Sequence, residues 1–200
     1  MNLISLLPTD EKKTFLSALL AIEVLDGKIV GFINERLHVQ RFEKGTLLLP
    51  LGNVCDKLYF VHSGLVRGYY MEGLKEVTSW LLKENDFLYS PHSFLRQQPT
   101  SEAIELLEGA TLVSITYQEL QQIYDSYPTT NNIGRLLTEK YLLLYDERVR
   151  TLRALTAEQR LKRFTDDNPE FYARVNQKYI ASYLGIAPET ASRILKKKQR

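Results

Sequence analysis

The 200-residue chain is 44% hydrophobic and 25% charged, with 26 Lys and Arg against 24 Asp and Glu, a net charge of +2. That balance describes a globular chain long enough for one large domain and a small one, and by itself points to neither nucleic acid nor membrane. No stretch approaches the roughly 20 apolar residues of a membrane helix. The opening MNLISLLPTDEKK lacks the basic start of a secretory signal, so a cytoplasmic location is expected. Cys55 is the single cysteine, which excludes an internal disulfide and a four-cysteine zinc or iron–sulfur site within one chain. It is expected to be a small buried hydrophobe.

The first 27 residues read as helical, because Thr14, Phe15, Leu16, Leu19, Leu20, Ile22 and Val24 give apolar density at 3.6-like spacing. From about Phe32 the texture turns to short β-rich runs. Turn signals separate them at Glu43-Lys44-Gly45, Leu51-Gly52-Asn53, His62-Ser63-Gly64 and Glu84-Asn85-Asp86. Short strands at that spacing predict a closed or sandwiched antiparallel sheet. A short helix is expected over 90–95, and a second β pair over 101–124. Residues 131–155 then carry apolar side chains on two faces, among them Ile133, Leu137, Leu142, Leu143, Leu144, Tyr145 and Val149. A helix apolar on two faces must bury both, one against its own β domain and the other against a copy of itself, so a homodimer is expected. Thr156 and Gln159 form a capping-box signature for the next helix, which Asn168-Pro169 breaks.

The last 25 residues carry the strongest signal. Ile180, Ala181 and Leu184 repeat at helical spacing, Gly185 stops that helix, Ile186 follows as a plug, and Pro188 stands where a new helix has its first residue. Ala191, Ile194 and Leu195 mark one face of the second helix, while Glu189, Ser192, Arg193 and Lys196 mark the other. Such a stripe presents side chains to a major groove. The same pattern fits an ordinary helical hairpin with a solvated face. Charge favours the DNA reading. Residues 176–200 hold six basic side chains against Glu189 alone, net +5, leaving −3 over residues 1–175.

A β-roll, a long helix and a helix-turn-helix in that order resemble the Crp/Fnr family of bacterial transcription regulators, over nearly the whole chain. FEKGTLLLPLGNVCDKLYFVHSGLVRGY is similar to the family's barrel opening, NDFLYSPHSF stands where the family has its phosphate-binding cassette, and PETASRILKK resembles its recognition helix. The implied fold is α+β: an N-terminal antiparallel β-roll with N-terminal helices over 1–130, a dimerisation helix over 131–155, and a helix-turn-helix domain over 156–200 that lacks a full wing. Many relatives continue into a β-hairpin wing where this sequence stops.

The departures carry mechanism. In the cassette, the resemblance sets Tyr89 and Ser90 where cyclic-nucleotide-binding relatives have glycine and glutamate, and Thr100 where they have the phosphate-gripping arginine; Ser101 is retained. The implied effector pocket (Tyr89, Ser90, Thr100, Ser101) is degenerate and is not expected to take cyclic AMP; its ligand, if any, is unknown. His38, His62 and His92 have no ligand-spaced partner and are expected to be structural. At the DNA end, Pro188 replaces the first base-reading arginine. Glu189 and Arg193 are kept, able to accept from cytosine N4 and to donate two bonds to guanine. The implied DNA-facing set is Gln177, Lys178, Glu189, Thr190, Ser192, Arg193, Lys196 and Lys197.

The chain therefore reads as a homodimeric regulator of double-stranded DNA, with RNA polymerase as a further expected partner. The competing reading is a sensing or protein-interaction module with a vestigial helix-turn-helix. No nucleophile–base set, metal-ligand spacing or phosphate-cradling loop is evident, so no catalytic residue, metal or cofactor is expected.

Overall fold

The computed structural model describes residues 8–198, with side chains through Ile194. Helix α1, Asp10–Leu20, begins where the Thr9 hydroxyl accepts the Lys12 N–H, with Asp10 and Glu11 complementing the positive end of its dipole. It buries Phe15, Leu16 and Leu19. The chain then turns, and a second helix, α2, runs Gly27–Arg36 behind Asp26, whose carboxylate accepts the Lys28 N–H at 2.6 Å. This corrects the expectation of one helix followed by strands from Phe32. Ile22 and Val24 look like a continuation of the apolar face, yet Val24 is 89% exposed; the Asp26 cap starts a new helix instead.

Among the described residues eight strands follow: β1 His38–Phe42, β2 Leu47–Leu49, β3 Lys57–Ser63, β4 Val66–Glu72, β5 Lys75–Leu82, β6 Phe87–Leu88, β7 Glu102–Leu106 and β8 Ala110–Thr116, with the short helix α3, Pro91–Arg96, between β6 and β7. They form two four-stranded sheets, in the orders β1-β8-β3-β6 and β2-β7-β4-β5. The pairings of β8 with β1 and β3 are antiparallel, with His38 opposite Ser114 and Lys57 opposite Thr116. Phe60, Val61, Leu65, Val66, Ile104, Leu106, Leu112 and Val113 are essentially inaccessible to solvent. The α1 ring of Phe15 meets Phe60 and Phe87 edge-on at 5.6 and 5.4 Å. Each such pair is worth about 0.5–1.5 kcal/mol beyond its buried area.

The second β pair ends sooner than its sequence texture suggests. TYQELQQIY reads as a continuing strand, but Tyr117–Ser126 is a helix, α4. A full capping box explains the switch: the Thr116 hydroxyl accepts the Glu119 N–H while the Glu119 carboxylate accepts the Thr116 N–H. Burial pushes the Glu119 carboxyl up, but hydrogen bonds from Thr116 and His38 outweigh it and hold the group below the ordinary glutamate value. His38 Nε2 lies 2.9 Å from that carboxylate, a structural role.

A 3-10 turn at Pro128–Thr130 leads into α5, Asn131–Ala154, followed by α6 Ala157–Asp167, α7 Pro169–Arg174, α8 Gln177–Tyr183 and α9 Pro188–Lys198. Pro169 does more than break α6, since as the first residue of α7 its missing N–H costs nothing. Two compact units result: Met1–Gly68 with Leu82–Thr138, and Tyr69–Leu81 with Glu139–Arg200. Only Ile133 of α5 is buried, and Leu142, Leu143, Leu144 and Tyr145 are 54–69% exposed.

Gly64 links β3 to β4 at φ +113°, a region closed to most L-residues. A Cβ there would stand 2.7 Å from the Ala110 Cβ and 2.9 Å from its Cα. Gly64→Ala therefore combines backbone strain with overpacking and should lower stability by about 2–5 kcal/mol. A urea midpoint close to that of the unsubstituted protein would contradict this.

Candidate nucleic-acid interface and effector cassette

In the second unit, α6 carries the expected capping box: the Gln159 side chain accepts the Thr156 N–H at 2.9 Å and the Thr156 hydroxyl accepts the Gln159 N–H at 3.3 Å. Its apolar side buries Leu161 and Phe164, and the Phe164 ring lies 5.7 Å from Tyr183 and 6.3 Å from Phe171. Helix α8 starts behind Asn176, whose side chain accepts the Lys178 N–H at 3.0 Å. It ends in a left-handed glycine turn. Gly185 has φ +61°, its N–H donates to the Ser182 carbonyl at 3.1 Å, and the Ile186 N–H reaches back to the Ala181 carbonyl at 2.9 Å. These two bonds are the Schellman pattern, and they satisfy carbonyls that the helix end would leave open. Ile186 is buried as the plug, together with Leu184 and Ala191.

With its apolar side thus anchored, α9 turns Glu189, Ser192 and Arg193 to solvent, and Gln177 and Lys178 at the start of α8 are also exposed. Thr190 is half-buried, partly turned from that face. Lys196 and Lys197 lie beyond the described side chains. Pro188 is the first residue of α9 and the Ala191 N–H bonds the Ala187 carbonyl at 3.0 Å, so the helix begins without a serine cap.

Three supporting residues escape a sequence reading. The Arg160 guanidinium donates to the carbonyls of Leu152 and Leu155 at 3.2 and 2.8 Å and to that of Gly185 at 3.3 Å. It thereby ties the open C-terminal carbonyls of α5 to the turn before α9. Arg148 of α5 stacks 3.8 Å above the Tyr183 ring. Arg163 bridges Glu147 of α5 and Asp167 of its own helix. A basic residue near a helix end is an ordinary signal, but which carbonyls it serves is set by the tertiary fold.

In the first unit, the cassette is closed upon itself. The Ser90 hydroxyl does not cap α3; it lies 3.0 Å from the Thr100 hydroxyl, both residues being buried. Thr100 in turn donates to the Glu102 carbonyl and accepts the Glu102 N–H, each at 3.0 Å. The Ser90 N–H points at the Cys55 sulfur at 3.4 Å, and the Ser93 hydroxyl accepts the Cys55 N–H at 2.8 Å. Gln97 donates to the carbonyls of Cys55 and Phe94 at 3.2 and 2.7 Å. The Tyr89 ring packs 5.0 Å from Phe94. Ser90 and Thr100 are therefore brought together, whereas Tyr89 packs on Phe94 and Ser101 stands exposed.

The roll does contain a cation that the sequence reading missed. Arg67 on β4 is 2% exposed, and its guanidinium is held by Glu105 on β7 at 2.6 Å. A buried charge needs such a partner, and β4 and β7 are neighbours only in the folded sheet.

Residues 39–127 match the family model described as the cyclic nucleotide-binding domain. The transcriptional regulatory protein btr of Bordetella pertussis is 23% identical over 180 residues, 84% of this chain and 72% of that protein. The structure of CLP from Xanthomonas campestris, named there a c-di-GMP responsive global regulator, aligns with a TM-score of 0.69 at 23% identity over 87% of this chain and 92% of that one. A transcriptional regulator of the Crp/Fnr family from Eubacterium rectale aligns at 0.71 with 21% identity, covering 88% and 84%. FixK2 from Bradyrhizobium japonicum aligns at 0.69 with 16% identity, covering 80% and 83%.

Burial pushes the Cys55 thiol above the ordinary cysteine value, against smaller contributions from its hydrogen bonds with Ser90 and Lys57. At 3% exposure it is both un-ionised and out of reach. In the native protein at pH 8 Cys55 should resist alkylation by iodoacetamide and become reactive only in denaturant, read by mass spectrometry. Rapid native labelling would mean that the closed cassette opens readily.

Proposed function

We propose that the chain, whose residues 39–127 match the cyclic nucleotide-binding domain and whose fold is shared with Crp/Fnr-family regulators, is a homodimeric, DNA-binding transcriptional regulator of that type acting in the cytoplasm. Its cassette does not take cyclic AMP. The observation that carries the DNA reading is the helix-turn-helix itself. Ile186 and Ala191 pin α9 from below while Glu189, Ser192 and Arg193 face solvent on its free side. A helix held this way can enter a major groove with a carboxylate and a guanidinium free to meet base edges. Gln177, Lys178, Lys196 and Lys197 extend the face, Lys178 and Lys197 as phosphate contacts, with Thr190 at its margin.

Homodimerisation is supported by α5. Leu142, Tyr145 and Val149 follow the 3–4 spacing of a two-helix seam. Leu142 and Tyr145 are 62% and 65% exposed, which is costly for a chain acting alone. Two copies joined there present two α9 helices to successive grooves, about 34 Å apart, on a palindromic site. The cassette reading rests on Tyr89 and on the Ser90–Thr100 bond, which occupy donors and space a nucleotide would need. The c-di-GMP response of the Xanthomonas relative is not carried over for the same reason. RNA polymerase is a partner of such a regulator if it activates.

Selection of genomic DNA by the purified protein tests the reading and should return one palindrome. Arg193→Ala should then cost about 1–3 kcal/mol per half-site and relax preference at one base pair, as loss of a bidentate guanine contact does. Unchanged affinity and base preference would favour a vestigial helix-turn-helix instead. The dimer is checked separately by light scattering: the 23.2 kDa chain should run as a dimer at micromolar concentration, and Tyr145→Glu as a monomer. A monomeric unsubstituted protein would remove the basis for a symmetric operator.

A further inference from the structure

The turn that aims α9 is held not only by helices but also by a β-strand from the same unit. Strand β5 is the last in its sheet, so one row of its backbone N–H and C=O groups has no neighbouring strand. The N–H of Thr78, a fully buried residue of β5, donates to the Ser182 hydroxyl on α8 at 2.9 Å. The same hydroxyl stands 3.5 Å from the Glu76 carbonyl, as its donor. A carbonyl and the N–H two residues further on are the pair that a parallel strand would engage with one residue of its own. One serine side chain therefore serves the sheet edge as a single residue of a further strand would.

Ser182 occupies the last turn of α8, and its neighbours in sequence are held in other directions. Tyr183 lies under Arg148 of α5 and against Phe164 of α6. Gly185 has its carbonyl on Arg160. Three anchors, from β5 at Ser182, from α5 with α6 at Tyr183, and from Arg160 at Gly185, converge just before α9 begins at Pro188. No other element intervenes between them and α9, so the direction in which α9 leaves is decided there. Of the three, the β5 anchor is made by a side chain that can be removed without disturbing a helix end.

We propose that Ser182 is a positioning residue for DNA reading: by binding the Thr78–Glu76 edge of β5 it fixes the α8–α9 elbow, and the β4–β5 hairpin thereby sets the angle at which Glu189 and Arg193 are presented. The proposal rests on the DNA-binding reading above. It gives the hairpin a route to the recognition helix that does not pass through α5.

Ser182→Ala removes both bonds and slightly favours the helix, so folding is not at issue; Ser182→Thr restores the hydroxyl. Hydrogen exchange in the full-length dimer should quicken at the Thr78 amide by about tenfold in S182A, the equivalent of one hydrogen bond, and return toward the unsubstituted rate in S182T. On a panel of palindromes whose half-site spacing varies by single base pairs, the unsubstituted protein and S182T should prefer one spacing. S182A should bind that site more weakly and accept neighbouring spacings. An unchanged Thr78 exchange rate in S182A, or accelerated exchange with unaltered affinity and spacing preference, overturns the positioning role alone. If the unsubstituted protein selects no DNA, the functional reading falls, and this role with it.

Discussion

The left-handed conformation of Gly185 is the constraint on which the helix-turn-helix half of this chain depends. Only with φ near +61° can the Gly185 and Ile186 N–H groups turn back onto Ser182 and Ala181 while the chain leaves at a new angle. That reversal puts Ile186 into the interior rather than into solvent, and the buried plug then fixes which side of α9 faces inward. The exposure of Glu189, Ser192 and Arg193 follows from it. A residue with a Cβ at this position would meet the Leu152 side chain at 3.5 Å, an ordinary contact. The requirement is thus conformational rather than steric, unlike Gly64, where space and backbone forbid a side chain together.

Hydroxyl groups do in the cassette what a ligand would otherwise do. Buried polar atoms need partners, and a site that waits for a nucleotide must hold its donors and acceptors available to solvent until the ligand arrives. Here Ser90 is satisfied by Thr100, Thr100 by Glu102, Ser93 by Cys55 and Gln98, and Arg67 has Glu105. Opening any of these for a ligand costs the bond as well as the reorganisation. On the proposed reading Thr100 stands where a phosphate-gripping arginine would have supplied the charge to repay that cost.

What the sequence made legible and what it hid separate along one physical line. Signals carried by near neighbours were readable: the Thr156–Gln159 box, the Gly185–Ile186 turn, Pro188 at a helix start, the short strands between glycine turns. Two near-neighbour signals were masked by a stronger texture. Thr116–Glu119 is also a capping box, but it follows a run rich in β-branched residues, ATLVSIT, so α4 reads as strand. Asp26 caps α2, yet Leu20, Ile22 and Val24 extend the apparent face of α1 across the break. Contacts that join distant positions left no trace at all. Arg67 and Glu105 are 38 residues apart, Thr78 and Ser182 104, and each partner alone is an unremarkable polar residue on a strand or helix. Of the site, the exposed stripe of α9 could be read from its spacing; the anchors that aim it could not.

If the cassette takes no cyclic nucleotide, as proposed, a regulator built this way draws its control from elsewhere. A ligand shifts an equilibrium only through its different affinity for two states, and a cassette already satisfied by its own side chains offers little to bind differently. Two levers remain in the chain. One is association: if α5 buries Leu142 and Tyr145 only in the dimer, the fraction of chains able to span a palindrome follows concentration by mass action, and expression level itself becomes the input. The other is the elbow before α9, where anchors from a strand and from helices meet at Ser182, Tyr183 and Gly185. An agent that displaces the β4–β5 hairpin changes one anchor and leaves the others, so it alters the angle of reading without dissociating the dimer. The two levers differ in what they predict for a half-site: the first leaves its affinity untouched, whereas the second changes it.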